Sequence, residues 1–523
     1  MEREFRESSD MRRSVAGLAL VLGVGAVLRF WALGYNVPFA VQVDEPQVMN
    51  RVVHMMKTGS LNPQGFFDYP TLYFYMQMVV ACVRFLAGAQ ARLWTSLGQV
   101  TSDDFYLWGR VLTAVMGTAT IYLVYRIGYR WGSRHALLAA ALMAVMPNHV
   151  RESHHVLTDV PMTFFTTLSF LLTLGAMELP TARAFAWAGA AAGLAAGTKY
   201  YGGMVLVAPM LAVWFITNPP RPRRVYLLSA LGAAAGCFLL AAPYTLLDLP
   251  GFLNAFAYLT GAFQPRGGDV EPGWITYLKH LNLALWYPGI ILMFWGAIHA
   301  IVRAFTGPGR GRFALLIVFP VLYFFLVADR VLIFARYLMP LFPFISLLIA
   351  IAIVSGVSLL RRFSIPRPVR TALIIGLTVV AILPPLIVSI RFDHMIGKPW
   401  TYRVASDWIL KNIPAKSSII IETGSFALPA RRYKTDNATK LIENSYEWYV
   451  ERKVQYVVTS SMVGHSADEE RAYRALLGHM SLVAGFRQSN DHPGPDLQVF
   501  RVGAPREPAT TKVAEPVSPP TKR

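Results

Sequence analysis

Apolar runs recur along most of this chain, many of them near the 18 to 20 residues that a helix needs to cross the roughly 30 Å hydrocarbon layer of a bilayer. Those at 14–34, 106–127, 135–149, 159–178, 182–198, 201–218, 225–247, 284–305, 313–328, 336–360 and 371–390 are read as spanning. With 54% hydrophobic and only 15% charged residues among 523, the composition excludes a soluble globule, a disordered chain and a fibrous one. Residues 1–13 are charged, and the run after them is too long for a signal-peptide core and lacks a small-residue cleavage site. It is therefore expected to stay as a first span.

A net charge of +19, from 49 Lys and Arg against 30 Asp and Glu, raises nucleic acid as a partner. In a polytopic chain the excess has a simpler origin, short cytoplasmic loops facing anionic lipid, and no nucleic-acid partner is expected. Arg126, Arg130 and Arg134 mark one such loop, and Arg221, Arg223 and Arg224 another. Arg303, Arg310 and Arg312 mark a third, and Arg361, Arg362, Arg367 and Arg370 a fourth. With a cytoplasmic N-terminus these loops share one side only if a further apolar stretch, 70–88, does not cross. It is expected as a helix along the outer interface, with Arg84 snorkelling. The fold class is thus an α-helical polytopic membrane protein, with about 11 spanning helices and interfacial helices in the first outer loop.

Regions 35–105, 150–158, 199–200, 248–283 and 329–335 then lie outside, with everything after about 391. The pattern divides the chain into a membrane domain (1–390), a small extracytoplasmic α/β domain (391–503) and a disordered tail (504–523) rich in Pro, Thr and charge. In the second domain, helical stretches at 402–412, 443–453 and 468–480 alternate with strand-like runs at 417–421, 454–458 and 496–502. The two cysteines, Cys82 and Cys237, both sit in apolar segments, which excludes a disulfide framework and a cysteine metal cluster.

Ionisable residues at the edge of a span are candidates for function. Just beyond the first span come adjacent acids, Val43-Asp44-Glu45-Pro46, which are also an ordinary helix N-terminus. Further along, Arg151-Glu152-Ser153-His154-His155 leads to Thr158-Asp159-Val160-Pro161, where Thr158 or Asp159 can equally serve as a helix cap. Asp44 and Asp159, converging from separate segments, would let one carboxylate take the proton of an attacking hydroxyl. Asp44, Glu45, His154, His155 and Asp159 are candidate ligands for a divalent metal cation, Asp44, Asp159 and His155 foremost, although no spacing demands one. Arg110, Arg151, Lys199 and Arg336 lie near outer membrane edges, placed either to bind a lipid-borne phosphate or to snorkel to head groups. Tyr337 follows Arg336 as a substrate contact or belt aromatic. His54 and the Phe67-Asp68-Tyr69-Pro70 segment are further contacts, Tyr69-Pro70 being equally a turn. The glycines of 182–203 fit close helix packing better than a phosphate loop.

These motifs, in this order, resemble the GT-C glycosyltransferase superfamily: the first-loop acids, Trp108-Gly109-Arg110-Val111-Leu112, Arg151 through Phe165, and Gly197-Thr198-Lys199-Tyr200. Within it the match is to the branch of the protein O-mannosyltransferases and the lipid A aminoarabinose transferase. It covers residues 14–250, with Arg336-Tyr337-Leu338-Met339-Pro340 a looser extension. The resemblance implies an inverting transferase that moves a sugar from a polyprenyl-phosphate carrier to a hydroxyl acceptor, whether protein, lipid A or glycan. Asp44 would be the general base and Glu45 its neighbour in the acceptor site. Asp159 would orient the acceptor or hold a metal, and Arg110 and Lys199 would lie near the carrier phosphate. Where the aminoarabinose branch carries a lysine before Pro-Pro, this chain has Asp68-Tyr69-Pro70-Thr71, and the mannosyltransferases' β-trefoil insertion is missing. A bacterial inner-membrane location with the C-terminal domain extracytoplasmic follows from the same reading. The rival class is a transporter or flippase for a lipid-linked sugar, which would gather its charges near the bilayer midplane between symmetric halves.

Overall fold

The computed structural model describes residues 2–38, 40, 42, 44–262, 271–328, 330, 332–359, 365–422, 428, 432–461 and 466–503. The tail 504–523, expected to be disordered, lies outside them, as do parts of the outer regions 248–283 and 329–335. The chain forms two compact units, one of Met1–Leu33 with Asp44–Asp393 and one of Gly34–Val43 with His394–Arg523. The short segment 34–43 thus groups with the C-terminal residues, which nothing in its sequence announces.

The first unit is helical. Among the described residues, eight helices are long and apolar enough to cross a membrane, with shorter apolar helices at Ser14–Phe30, Tyr200–Phe215 and Leu249–Leu259. Seven of the eleven expected runs are among the eight. Those at 14–34 and 182–198 form unbroken helices of 17 residues, Ser14–Phe30 and Ala182–Thr198, and two more break for local reasons. The run at 135–149 breaks into helices Ser133–Ala144 and Pro147–Glu152, because Met146, which precedes Pro147, takes an extended ψ of 112°. Its 12-residue first part reaches about 18 Å, short of a bilayer. The run at 201–218 becomes a 3-10 turn (Tyr200–Leu206), a short helix (Val207–Ala212) and another 3-10 turn (Val213–Phe215). Helix Leu72–Gln90, laid along the interface by the arginine parity, is by length and composition one of the eight. A crossing there keeps the arginine loops on one side only if one of the broken segments turns back.

Helix Ala182–Thr198 packs on Arg223–Ala241 through its glycines. A Cβ on Gly189 would lie 2.0 Å from the Ala230 carbonyl oxygen, and one on Gly193 would lie 2.2 Å from that of Ala234. Without a hydrophobic drive between helices in lipid, such backbone approach supplies the packing energy. Gly296 sits against Leu348 in the same way, 2.0 Å from its carbonyl oxygen to a built Cβ, and joins Gly273–Phe305 to the central helix Phe342–Leu359.

The second unit holds one five-stranded sheet: β1 (Ser418–Glu422), β2 (Lys434–Ala438), β3 (Tyr456–Ser460), β4 (Ser481–Phe486) and β5 (Leu497–Arg501), in the order β2-β1-β3-β5-β4. β1 pairs parallel with β2 and β3, and β5 runs antiparallel to β3 and β4. Alternation along β1 sends Ile419 and Ile421 to a core with Tyr402, Ala405 and Ile409 of helix Thr401–Asn412. Ile420 points to the opposite core with Tyr449, Val457 and Tyr473. The sheet is therefore a middle layer between helices, the α/β arrangement expected from the alternating pattern.

Replacing Gly193 by leucine should drive a side chain into the Ala234 backbone and cost about 1–3 kcal/mol or more. Thermal unfolding in detergent reads this directly, and an unchanged midpoint would mean the two helices are not packed as described.

Candidate active site

Asp44 stands one residue ahead of helix Glu45–Thr58, whose Pro46 fits the first helical turn. Its Oδ2 accepts a hydrogen bond from Arg336 Nη2 at 2.7 Å and a longer one from the Tyr69 hydroxyl at 3.4 Å. Asp159 opens helix Asp159–Glu178, and its Oδ1 accepts from Lys199 Nζ at 2.7 Å. Neither Asp44 nor Thr158 caps its helix with a side-chain hydrogen bond, so neither is explained as a cap. Lys199 ends helix Ala182–Thr198 in an extended conformation (φ −155°, ψ 131°), which turns its side chain away from the helix course.

Two tyrosines join these pairs. Lys199 Nζ lies 4.8 Å from the centre of the Tyr337 ring and 5.7 Å from that of Tyr69, within the range where a cation is drawn to a ring face. The Tyr200 hydroxyl donates to the Phe67 carbonyl at 2.9 Å and holds the 67–69 segment beside Lys199. The Arg336 guanidinium is 4.8 Å from the Phe334 ring, and its Nε is buried without a hydrogen-bond partner. Burial pulls the Lys199 ammonium below its ordinary value and Arg336 adds to this, while Asp159 and Asp44 oppose it. Burial, then Asp44 and Asp159, push the Tyr69 phenol up, so it stays a hydrogen-bond donor at neutral pH.

Glu45 turns the other way. It is fully buried and grips Arg110 with both oxygens, Nε to Oε1 and Nη2 to Oε2 each at 2.9 Å, and also accepts from the Val156 amide at 3.0 Å. Arg110, fully buried as well, also donates to the Leu33 carbonyl at 3.3 Å. Burial alone would raise the Glu45 carboxyl, but the Arg110 charge and its hydrogen bonds hold it down at about 2. This pair ties the start of the first outer loop to the spanning helix Tyr106–Gly128 and to the second loop. The expectation of Arg110 at a phosphate and of Glu45 beside an acceptor thus meets a geometry in which each is spent on the other. The signal was present in the spacing. Glu45 shares the buried face Val48, Met49, Val52, Val53, Met56, at helical intervals, while Asp44 precedes the helix.

The second-loop cluster is held internally. Arg151 pairs with Glu152 at 2.7 Å, and His155 Nδ1 lies 3.4 Å from the same carboxylate. Both nitrogens of His154 face carbonyl oxygens, Val150 at 2.9 Å and Trp31 at 3.0 Å; burial lowers this ring to about 4, so it is neutral and donates to one of them. Sequence reasoning passed over Glu152, whose carboxyl is held at about 2: burial opposes this, and the His155 hydrogen bond and Arg151 charge overcome it. Among the described residues no three His, Cys, Asp or Glu side chains gather as a metal set. Asp44 and Asp159 each already oppose a cation at 2.7 Å, so the donors as placed do not fit a resident divalent ion.

Because Glu45 titrates below its ordinary value, the stability it contributes is whole above about pH 4.5 and drains away as pH falls toward 2. Glu45→Gln should cost about 3–5 kcal/mol, since it leaves the Arg110 charge buried alone. Changing both residues to apolar ones should recover part of that loss in the thermal midpoint. Equal midpoints for wild type and Glu45→Gln would remove the pair's anchoring role.

The model of the dolichyl-phosphate-mannose-protein mannosyltransferase family matches residues 23–260. No curated protein matches the chain. ArnT from Cupriavidus metallidurans bound to undecaprenyl phosphate superposes with a TM-score of 0.60 at 14% identity, over 93% of this chain and 99% of that one. The oligosaccharyltransferase AglB from Archaeoglobus fulgidus, in complex with an inhibitory peptide and a dolichol-phosphate, gives 0.53 at 16% identity, over 93% and 74%. The Archaeoglobus fulgidus oligosaccharyltransferase in complex with Zn and sulfate gives 0.52 at 14% identity, over 92% and 72%. The chain therefore has the membrane fold of the GT-C glycosyltransferases, and its residues 23–260 carry the pattern of the dolichyl-phosphate-mannose-protein mannosyltransferase family.

Proposed function

We propose that this protein is a glycosyltransferase that moves a sugar from a polyprenyl-phosphate carrier to a hydroxyl acceptor at the outer face of a bacterial inner membrane. The observation that carries the reading is the meeting of Asp44 with Arg336 and of Asp159 with Lys199 around Tyr69 and Tyr337. The family match and the lipid phosphates named with the similar structures support the donor class.

In this reaction the acceptor O–H gives its proton to the Asp44 carboxylate as its oxygen attacks the anomeric carbon. The bond from that carbon to the phosphate oxygen breaks with inversion, and the polyprenyl phosphate leaves with the bonding pair. Lys199 and the unpartnered Arg336 Nε are the donors that meet the leaving oxygen charge, a task that Arg110, committed to Glu45, does not share. They supply the positive charge that a metal would otherwise bring. Asp159 holds the Lys199 ammonium in place, and Tyr337 and Tyr69 flank it. No observation favours the transporter reading, since the charges cluster where helices end.

Purified protein given polyprenyl-phosphate sugars and hydroxyl acceptors in detergent should release free polyprenyl phosphate and glycosylated product. Asp44→Asn should lower the rate by about 10²–10⁴-fold without changing the thermal midpoint, and a fully active Asp44→Asn protein would overturn the assignment. Lys199→Ala should lower kcat as well as raise the donor KM, since its ammonium meets charge that develops as the phosphate leaves, and EDTA should leave turnover intact. Loss of turnover with EDTA, restored by a divalent ion, would return the metal to the mechanism.

A further inference from the structure

Helix Asp159–Glu178 carries Asp159 at its start and Glu178 at its end. At 1.5 Å per residue the two are about 28 Å apart, so Glu178 lies at the membrane edge opposite the reactive acids. Two arginines share its carboxylate. Arg130 pairs with Oε2, and Arg312, in the first turn of helix Arg310–Ala328, donates from Nη2 to Oε1 at 2.8 Å. Arg312 Nη1 also donates to the Arg130 carbonyl oxygen at 3.2 Å. Arg126 comes four residues before Arg130 in the helical stretch Tyr106–Trp131, which puts both on one face. Its Nη1 donates to the Tyr122 hydroxyl at 2.8 Å. Among the described residues Glu178 is the only carboxylate paired with any of the three arginines. Its two partners, Arg130 and Arg312, keep 22% and 35% of their side-chain surface open, and Arg126 is exposed. Three guanidinium charges thus face one carboxylate, with surface left for a ligand.

We propose that this cluster binds one anionic phospholipid, its head-group phosphate bridging Arg130 and Arg312 with Arg126 alongside. The site stands apart from the sugar-transfer machinery and does not depend on it. Arginine suits the task, because a guanidinium meets a phosphate through paired N–H bonds. The surplus of positive charge favours a lipid of net negative charge, whereas a zwitterionic head group would bring its own ammonium against the same arginines. The surface beside the cluster selects a lipid over a free anion. Val115, Tyr122, Arg126 and Arg130 follow at intervals of seven, four and four residues, which is one stripe of a helix. Val115 and Tyr122 are 50% and 40% exposed, and Val115 lies about 22 Å from Arg130 along the axis. The stripe therefore runs from the arginines into the hydrocarbon depth as open apolar surface, on which an acyl chain lies. Leu179, directly after Glu178, is exposed as well. A bound phosphate would answer the surplus charge and tie the end of one spanning helix to the start of another, beyond what Glu178 achieves alone.

The test uses the full-length protein, stripped of lipid in a neutral detergent and titrated with phosphatidylglycerol, phosphatidylcholine or inorganic phosphate. Native mass spectrometry counts the bound lipid, and the thermal midpoint reads its effect. Phosphatidylglycerol should add as one saturable adduct and raise the midpoint. Phosphatidylcholine and inorganic phosphate at the same concentrations should do neither. Arg312→Gln and Arg126→Gln should each weaken phosphatidylglycerol binding about fivefold or more. Arg126 has its polar contact with Tyr122 alone among the described residues, so its variant keeps the fold even where Arg312→Gln loosens the helix ends. Arg224→Gln removes an equal charge from an exposed arginine of another loop and should leave binding unchanged. Binding that both cluster variants retain, or that Arg224→Gln lowers as much as they do, overturns the site in favour of diffuse attraction. An equal effect from phosphatidylcholine or inorganic phosphate overturns the choice of an anionic lipid.

Discussion

An ion enters the edge of a bilayer at tolerable cost only when an opposite ion or backbone carbonyls meet it there, and the first unit answers its central charges with ion pairs. Its central ion pairs form a series of decreasing burial. Glu45 and Arg110 are 0% exposed, Asp159 and Lys199 are 3% and 7%, and Asp44 and Arg336 are 24% and 12%. The first pair, sealed and bidentate, acts as a fixed strut. The last is the most open, and one nitrogen of its arginine is still unclaimed. The sealed pair and the most open one are built from neighbouring residues, Glu45 and Asp44.

Helix packing delivers the other half of the cluster. Helix Ala182–Thr198 lies against Arg223–Ala241 at backbone contact, and its end carries Lys199. Thr71 adds a tie by donating to the Ala241 carbonyl at 2.8 Å, which brings the 67–71 segment to the same helix end. The glycines therefore set the position of an ammonium group well beyond their own contacts.

Much of this was legible in the chain. Apolar run length gave the helical membrane fold, and acids and bases at span edges marked Asp44, Asp159, Lys199, Arg336, Tyr69 and Tyr337 as candidates, which the fold then gathers. Hydropathy does not register where a run breaks, so Pro147 and the 3-10 turns at Tyr200–Leu206 and Val213–Phe215 interrupt segments that read as continuous. Two adjacent carboxylates look alike in a sequence until helical periodicity is applied, which puts Glu45 on the apolar face and leaves Asp44 off it. In the second unit the apolar strands β1, β3 and β5 were readable. β2, with the sequence Lys-Thr-Asp-Asn-Ala, and the exposed edge strand β4 were not, because edge strands bury too little to be patterned.

The ten residues from Gly34 to Val43 are built into the second unit, through the Tyr35 ring 5.7 Å from that of Trp400 and the Arg403 guanidinium on the Val37 carbonyl at 3.1 Å. The peptide bond after Val43 leads straight to Asp44. A chain cut short after residue 393 would keep Arg336, the ion partner of Asp44. It would nonetheless strip the stretch of backbone leading into that acid of the surface on which it rests. Residues after 393 are in this sense a footing for the segment 34–43 alone.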